Sequence, residues 1–232
     1  MHDKAVMLQQ AEGFVRITEG DIWHYGGNQA WFAWEAGENQ SHVARKGACG
    51  TVVLANITAY LAKSSPACAG LYSYPDFTRE SFLSHMKDLY TYVSPWHMGR
   101  VPLGIWPVCR LAAGMERFAR DRGIRLKAVW REWPFSRGNV LRYLKEGLEK
   151  DLPPAMLVGP HRLEQIQVYY PGRDSHEEDI RLHWVTVTGL KMDQGQNQVK
   201  IKVSTWGGWA WLDLDEYMKE RIYAGVVYFE RE

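Results

Sequence analysis

Residues 46–62 read KGACGTVVLANITAYLA, and the way this stretch folds constrains everything around it. Gly47, Ala48 and Gly50 surround Cys49 with almost no side-chain bulk. From there to Ala62 no residue is charged, and Val52, Val53, Leu54, Ala55, Ile57, Ala59, Tyr60 and Leu61 leave no polar stripe. A run of that length, apolar all round, is expected to be a helix buried inside a domain. Cys49 would be its first residue, where unpaired backbone N–H groups and the positive end of the helix dipole point outward. That position is expected to lower the thiol pKa and favour the nucleophilic thiolate. The flanking glycines are expected to clear space for a group approaching the sulfur.

Upstream, residues 21–35 (DIWHYGGNQAWFAWE) carry three tryptophans around Gly26-Gly27 and read as strand or irregular structure packed on the main body. Residues 37–46 are polar and loop-like, and Ser64-Ser65-Pro66 ends the central helix. Downstream, Thr78 is a candidate N-cap for a helix to about Tyr90, with Phe82, Met86, Leu89 and Val93 at helical spacing. Residues 94–106 contain Pro95, Gly99, Pro102 and Gly104 and read as a loop. Pro107 starts a second helix with Val108, Leu111, Met115 and Phe118 on one face and Gly123 as its stop, and Cys109 is expected to pack in its core pattern. A third helix covers about residues 136–149. After Pro153-Pro154 the periodicity changes to that of strands at 155–159, 164–170, 182–189, 198–203 and 226–229. A helical first half and a sheet-rich second half from about residue 150 make the expected fold class α+β, in a single domain over residues 1–232.

The chain has 232 residues, 46% of them hydrophobic and 24% charged, which is ordinary for a globular protein and long enough for a substantial core. Its 28 basic and 27 acidic residues form no basic block. Nucleic acid and an anionic membrane are therefore not the expected partners. The N-terminus holds no apolar core of signal-peptide length, and no run approaches a membrane span. Three cysteines at wide spacing, Cys49, Cys68 and Cys109, match neither a disulfide framework nor a zinc pattern. The expected setting is reducing and cytoplasmic, with no cofactor or metal. Asp174, His176, Glu177, Glu178 and Asp179 form a polar connection between strands, and Trp206, Trp209 and Trp211 either line a groove or pack a sheet edge.

His183, in HWVTVTG, is a candidate general base for Cys49, since imidazole takes and returns a proton near neutral pH. The separation of 134 residues lies in the range, on the order of 130 to 150, that separates cysteine from histidine in papain-like enzymes. A Cys-Gly pair opening a buried helix, an HWVTVTG strand and a later strand ending VSTWGG together resemble the papain-like cysteine peptidase superfamily, and within it the C39-like peptidases. The likeness spans about residues 40–217, although nothing in 71–150 contributes to it. It implies a papain-like fold with Cys49 as nucleophile, His183 as general base and a third residue orienting the imidazole. That residue falls on Ser204, where the resemblance calls for Asn or Asp. A hydroxyl can accept from the imidazole N–H but cannot stabilise imidazolium as a carboxylate does.

The resemblance also implies a glutamine upstream of the cysteine, completing an oxyanion hole with the cysteine N–H. Gln40 is favoured narrowly over Gln29. The implied activity is that of a thiol peptidase or acyltransferase forming a covalent acyl-enzyme on an amide or thioester, with a peptide or other acyl substrate as partner. The short stretch before Cys49 favours a narrow substrate or acyl transfer over a broadly active protease. The alternative is an inactive papain-like protein that binds a peptide or glycan through its tryptophans.

Overall fold

A computed structural model describes residues 4–35, 37–131, 135–160, 165–193, 198–219 and 223–232. In chain order come β1 (Lys4–Met7), β2 (Arg16–Glu19), β3 (Ile22–Tyr25), α1 (Glu38–Gly47), α2 (Cys49–Ser64), α3 (Arg79–Tyr90), β4 (Trp96–Met98) and β5 (Val101–Gly104). They are followed by α4 (Val108–Arg120), β6 (Leu126–Arg131), α5 (Arg137–Glu149), β7 (Ala155–Val158), β8 (Ile166–Tyr169) and β9 (His176–Glu178). The chain ends with β10 (His183–Asp193), β11 (Gln198–Thr205), β12 (Gly208–Asp213), α6 (Leu214–Tyr217) and β13 (Gly225–Arg231). The architecture is mixed α+β, built on one large antiparallel sheet.

The sheet order is β6-β13-β7-β10-β11-β12-β8-β9. Strand β10 is its axis: β7 pairs with its first half, β1 with its second, and β11 runs along its other edge. A bulge between Val187 and Gly189 separates the two halves of the β11 ladder. The hairpins β2–β3 and β4–β5 stand apart from this sheet.

The charge-free helix is α2, and every residue from Cys49 to Leu61 is buried. It stops where Ser65 turns extended and Pro66, lacking an N–H, cannot continue the ladder. Helix α2 packs against α3 and β10, so the central helix and the central strand are neighbours. Thr78 caps α3 by accepting from the Ser81 N–H, and Ser136 caps α5 by accepting from the Asn139 N–H. In α4 the stripe Val108, Leu111, Met115 and Phe118 is fully buried, and Gly123 in the left-handed region follows its end.

Four local expectations change. Residues 37–46 are not a loop: α1 covers most of them, with Glu38 in its first turn and Arg45 and Lys46 in its last, matching the helix dipole. The expected loop at 94–106 contains the β4–β5 hairpin, whose Trp96, Met98, Val101 and Leu103 are exposed. Cys109 is exposed rather than packed in the α4 stripe. The first half also contributes β1 and β6 to the main sheet. Part of the strand expected at 164–170 lies outside the described residues, and Ile166–Tyr169 forms β8.

Candidate thiol site

Cys49 opens α2 as expected, after Ala48, which offers no side-chain cap. Its thiol is nonetheless enclosed, with the residue only 6% exposed. Burial pushes the thiol pKa up, against the opposing pull of the backbone N–H groups of Trp184, Gly50 and Cys49 itself. The lowered pKa expected from the helix terminus is therefore not found, because desolvation of the thiolate outweighs the N–H dipoles. The flanking glycines also have another reason than access. A Cβ on Gly47 would lie 2.7 Å from Pro102 Cβ, and one on Gly50 3.0 Å from Ile105 and Leu111 and 3.1 Å from Trp184. They let the β4–β5 hairpin and β10 close onto the helix end.

His183 is the first residue of β10 and is 7% exposed. Burial drives its pKa down to about 3, so the imidazole is neutral. Its Nε2 shares a 2.8 Å hydrogen bond with Thr205 Oγ1, and the Trp206 ring stacks on it at 4.5 Å between centroids. Ser204, the expected orienting residue, instead donates to the Tyr25 carbonyl at 2.8 Å. The reason is strand alternation. Thr186 pairs with Ser204 and Val187 with Val203, so Thr205 falls on the face that carries Val187, Val185 and His183. Trp206 and Gly207 are the two loop residues of the β11–β12 hairpin, both at positive φ (49° and 79°). A tryptophan in that conformation is strained and is held by its neighbours. Its carbonyl accepts from Asn28 Nδ2 at 2.9 Å, and the Gly207 N–H donates to the Gly27 carbonyl at 3.1 Å.

Of the two glutamines, Gln29 reaches the site and Gln40 does not. Gln40 lies exposed on α1. Gln29 begins a short 3-10 turn, Gln29–Trp31, capped by Asn28, whose Oδ1 accepts from the Ala30 N–H. Gly26 and Gly27 bring this arm close. A Cβ on Gly26 would sit 2.4 Å from Ser204 Oγ, and one on Gly27 2.6 Å from Phe82. The buried Gln29 Oε1 has no hydrogen-bond partner among the described residues. Gln29 lines the pocket, and a half turn of its amide exchanges the oxygen for the NH₂ donor.

Cys49, His183, Gln29, Thr205 and Trp206 line one pocket of about 230 Å³, counting the solvent at its mouth, together with Asn56, Trp184 and Ser204. Spacing alone missed Thr205 by one residue, and Asn56 was overlooked, although a lone buried amide in an apolar helix calls for partners. Trp209 stacks on Tyr169, and Trp211 lies under Lys191, both away from the pocket lining. The 174–179 stretch contributes β9, with His176–Glu178 exposed, and no metal-holding cluster occurs among the described residues. No helix among the described residues is long and apolar enough to cross a membrane. No family model matches this chain, and no curated protein matches it.

Proposed function

We propose that this chain is a thiol-dependent peptidase or acyltransferase of papain-like architecture, working without a cofactor on an amide or thioester in the cytoplasm. The single supporting observation is the convergence on one pocket of Cys49, His183 and Gln29, whose Oε1 has no hydrogen-bond partner among the described residues, with Thr205 holding the imidazole. With Nε2 engaged by Thr205, Nδ1 serves the thiol. His183 takes the thiol proton as sulfur attacks the carbonyl carbon. The carbonyl π pair moves to oxygen, where the Cys49 N–H and the Gln29 amide stabilise it. Collapse breaks the bond to nitrogen or sulfur, His183 protonates the leaving group, and the acyl group stays on Cys49. Water or an amine, deprotonated by His183, then attacks the thioester and releases the thiol. Cys49→Ala must abolish acyl-enzyme formation with activated esters and thioesters. Unchanged turnover on every substrate class after that substitution would sink the proposal.

A second reading, a catalytically silent papain-like protein that binds a peptide or glycan, has its own observation. Thiol and imidazole are both buried, and burial favours the neutral form of each. The two readings separate on Cys49 acylation by small activated esters, which a silent protein does not undergo faster than free cysteine.

A further inference from the structure

Asn56 lies seven residues past Cys49 in α2, two turns on and so on the same side of the helix. It is 1% exposed and lines the pocket. Its Oδ1 accepts from the Gly27 N–H at 2.8 Å, and its Nδ2 donates to Thr186 Oγ1 at 3.3 Å. One amide thus joins three segments: the helix that starts with Cys49, the arm that carries Gln29 two residues beyond Gly27, and the strand that starts with His183. The Gly27 N–H fixes the sense of the amide, because a group that only donates must face Oδ1, which leaves Nδ2 to donate to the Thr186 hydroxyl. The arm is also tied to the β11–β12 hairpin, through Ser204 to the Tyr25 carbonyl and Asn28 to the Trp206 carbonyl. Asn56 is its side-chain tie to the helix of the thiol.

We propose that Asn56 is a positioning residue for the acyl chemistry, holding the Gly26–Gly27 turn against α2 so that the Gln29 amide meets the oxyanion formed at Cys49. This rests on the thiol acyl reading above and adds a residue outside the reacting set. The consequence is selective. An oxyanion forms when Cys49 attacks an ester carbonyl but not when it displaces iodide from iodoacetamide. Misplacing the arm therefore slows acylation and spares alkylation, whereas general damage to the fold slows or unmasks both.

The test uses p-nitrophenyl acetate, whose acetyl carbon bonds to sulfur as p-nitrophenolate leaves and His183 receives the thiol proton. Iodoacetamide is the second reagent, and mass spectrometry locates each modification, with Cys49→Ala as the background. Asn56→Leu, close in volume but unable to hydrogen-bond, is expected to lower the ratio of acylation to alkylation rates about tenfold. Thr186→Val, which removes the acceptor of the Asn56 Nδ2 bond and leaves the Gly27 bond in place, should lower it in the same direction by less, and it covers the case in which Asn56→Leu does not fold. Added to Gln29→Ala, Asn56→Leu should cost nothing further in the ratio. An unchanged ratio in both variants, or losses that multiply with Gln29→Ala, overturns the positioning role while acylation of the unaltered protein keeps the thiol chemistry standing. Failure of the unaltered protein to be acylated at Cys49 overturns both.

Discussion

At the scale of single residues, the proposed chemistry divides the site into groups that would touch the reacting atoms and groups that would hold them. Gln29→Ala is expected to lower the acylation rate about 10²- to 10³-fold, as loss of an oxyanion donor does. Gln40→Ala, on the exposed face of α1, should leave stability within about 0.5 kcal/mol and the rate unchanged. The hydroxyls are expected to behave oppositely. Thr205→Val removes one hydrogen bond to the imidazole and should slow acylation about tenfold, the kinetic equivalent of about 1.4 kcal/mol. Ser204→Ala leaves the buried Tyr25 carbonyl without its side-chain donor and should lower unfolding stability by about 1 to 3 kcal/mol, with a smaller effect on rate than Thr205→Val. Chemical denaturation and acylation rates on the four variants check all of this. Cys49 and His183 were legible because each stands at a readable boundary, a glycine-flanked helix start and a strand start. Thr205 was not, because a one-residue difference in strand register moves a side chain to the opposite face. Gln29 lost to Gln40 because distance along the chain says nothing of how Gly26 and Gly27 fold back.

At the scale of elements, the end of helix α1, just before Cys49, and the hairpin β4–β5 pack together. Gly47 meets Pro95 and Pro102, and the Trp184 indole N–H donates to the Ile105 carbonyl at 2.8 Å just after the hairpin. Gly47→Ala brings a methyl to 2.7 Å from the Pro102 Cβ, and a proline ring cannot turn aside as a flexible chain end can. The expected result is a loss of about 1 to 3 kcal/mol in unfolding stability. The helices α3, α4 and α5 were readable from the sequence because caps and apolar stripes are local signals, and α2 because its run is long and charge-free. Helix α1 was not, since its buried side comprises Ser41, Val43, Ala44 and Gly47 and presents little apolar contrast. The β4–β5 hairpin was hidden by its prolines and glycines, and by apolar side chains that alternate without being buried.

For the whole molecule, the neutral buried histidines set the response to acid. His183 and His85 are both driven down to about 3, mainly by burial, with Arg122 adding to the effect on His85. An unfolded chain binds protons at these positions below roughly pH 6.5, while the folded chain stays neutral there until near pH 3. Their contribution to stability is thus fully present above pH 6.5 and is lost as the pH falls from 6.5 towards 3. His24, lowered by burial despite its bond to Glu19, acts in the same sense. Near pH 5 the pair alone should make stability fall by about 3 kcal/mol for each pH unit of acidification. Urea unfolding at pH 7, 6 and 5 measures it, and a stability independent of pH over that interval contradicts the buried neutral state. The α+β class was readable from the switch in periodicity, but the sheet topology was not. Strands β1 and β6 join the sheet by long-range pairing that no local pattern encodes.

The most direct measurement is the rate of Cys49 alkylation by iodoacetamide from pH 4 to 9, with the modified residue located by mass spectrometry. On the proposed reading, proton transfer within the pair, from thiol to imidazole, creates the reactive thiolate without exchanging a proton with solvent. Its population is therefore constant between the two apparent pKa values. The expected profile is a plateau from pH 4 to about 8, abolished by His183→Ala, because burial keeps His183 neutral until near pH 3. A rate that instead climbs about tenfold per pH unit towards the ordinary thiol value near 8.5, indifferent to His183→Ala, means that the two residues do not act together.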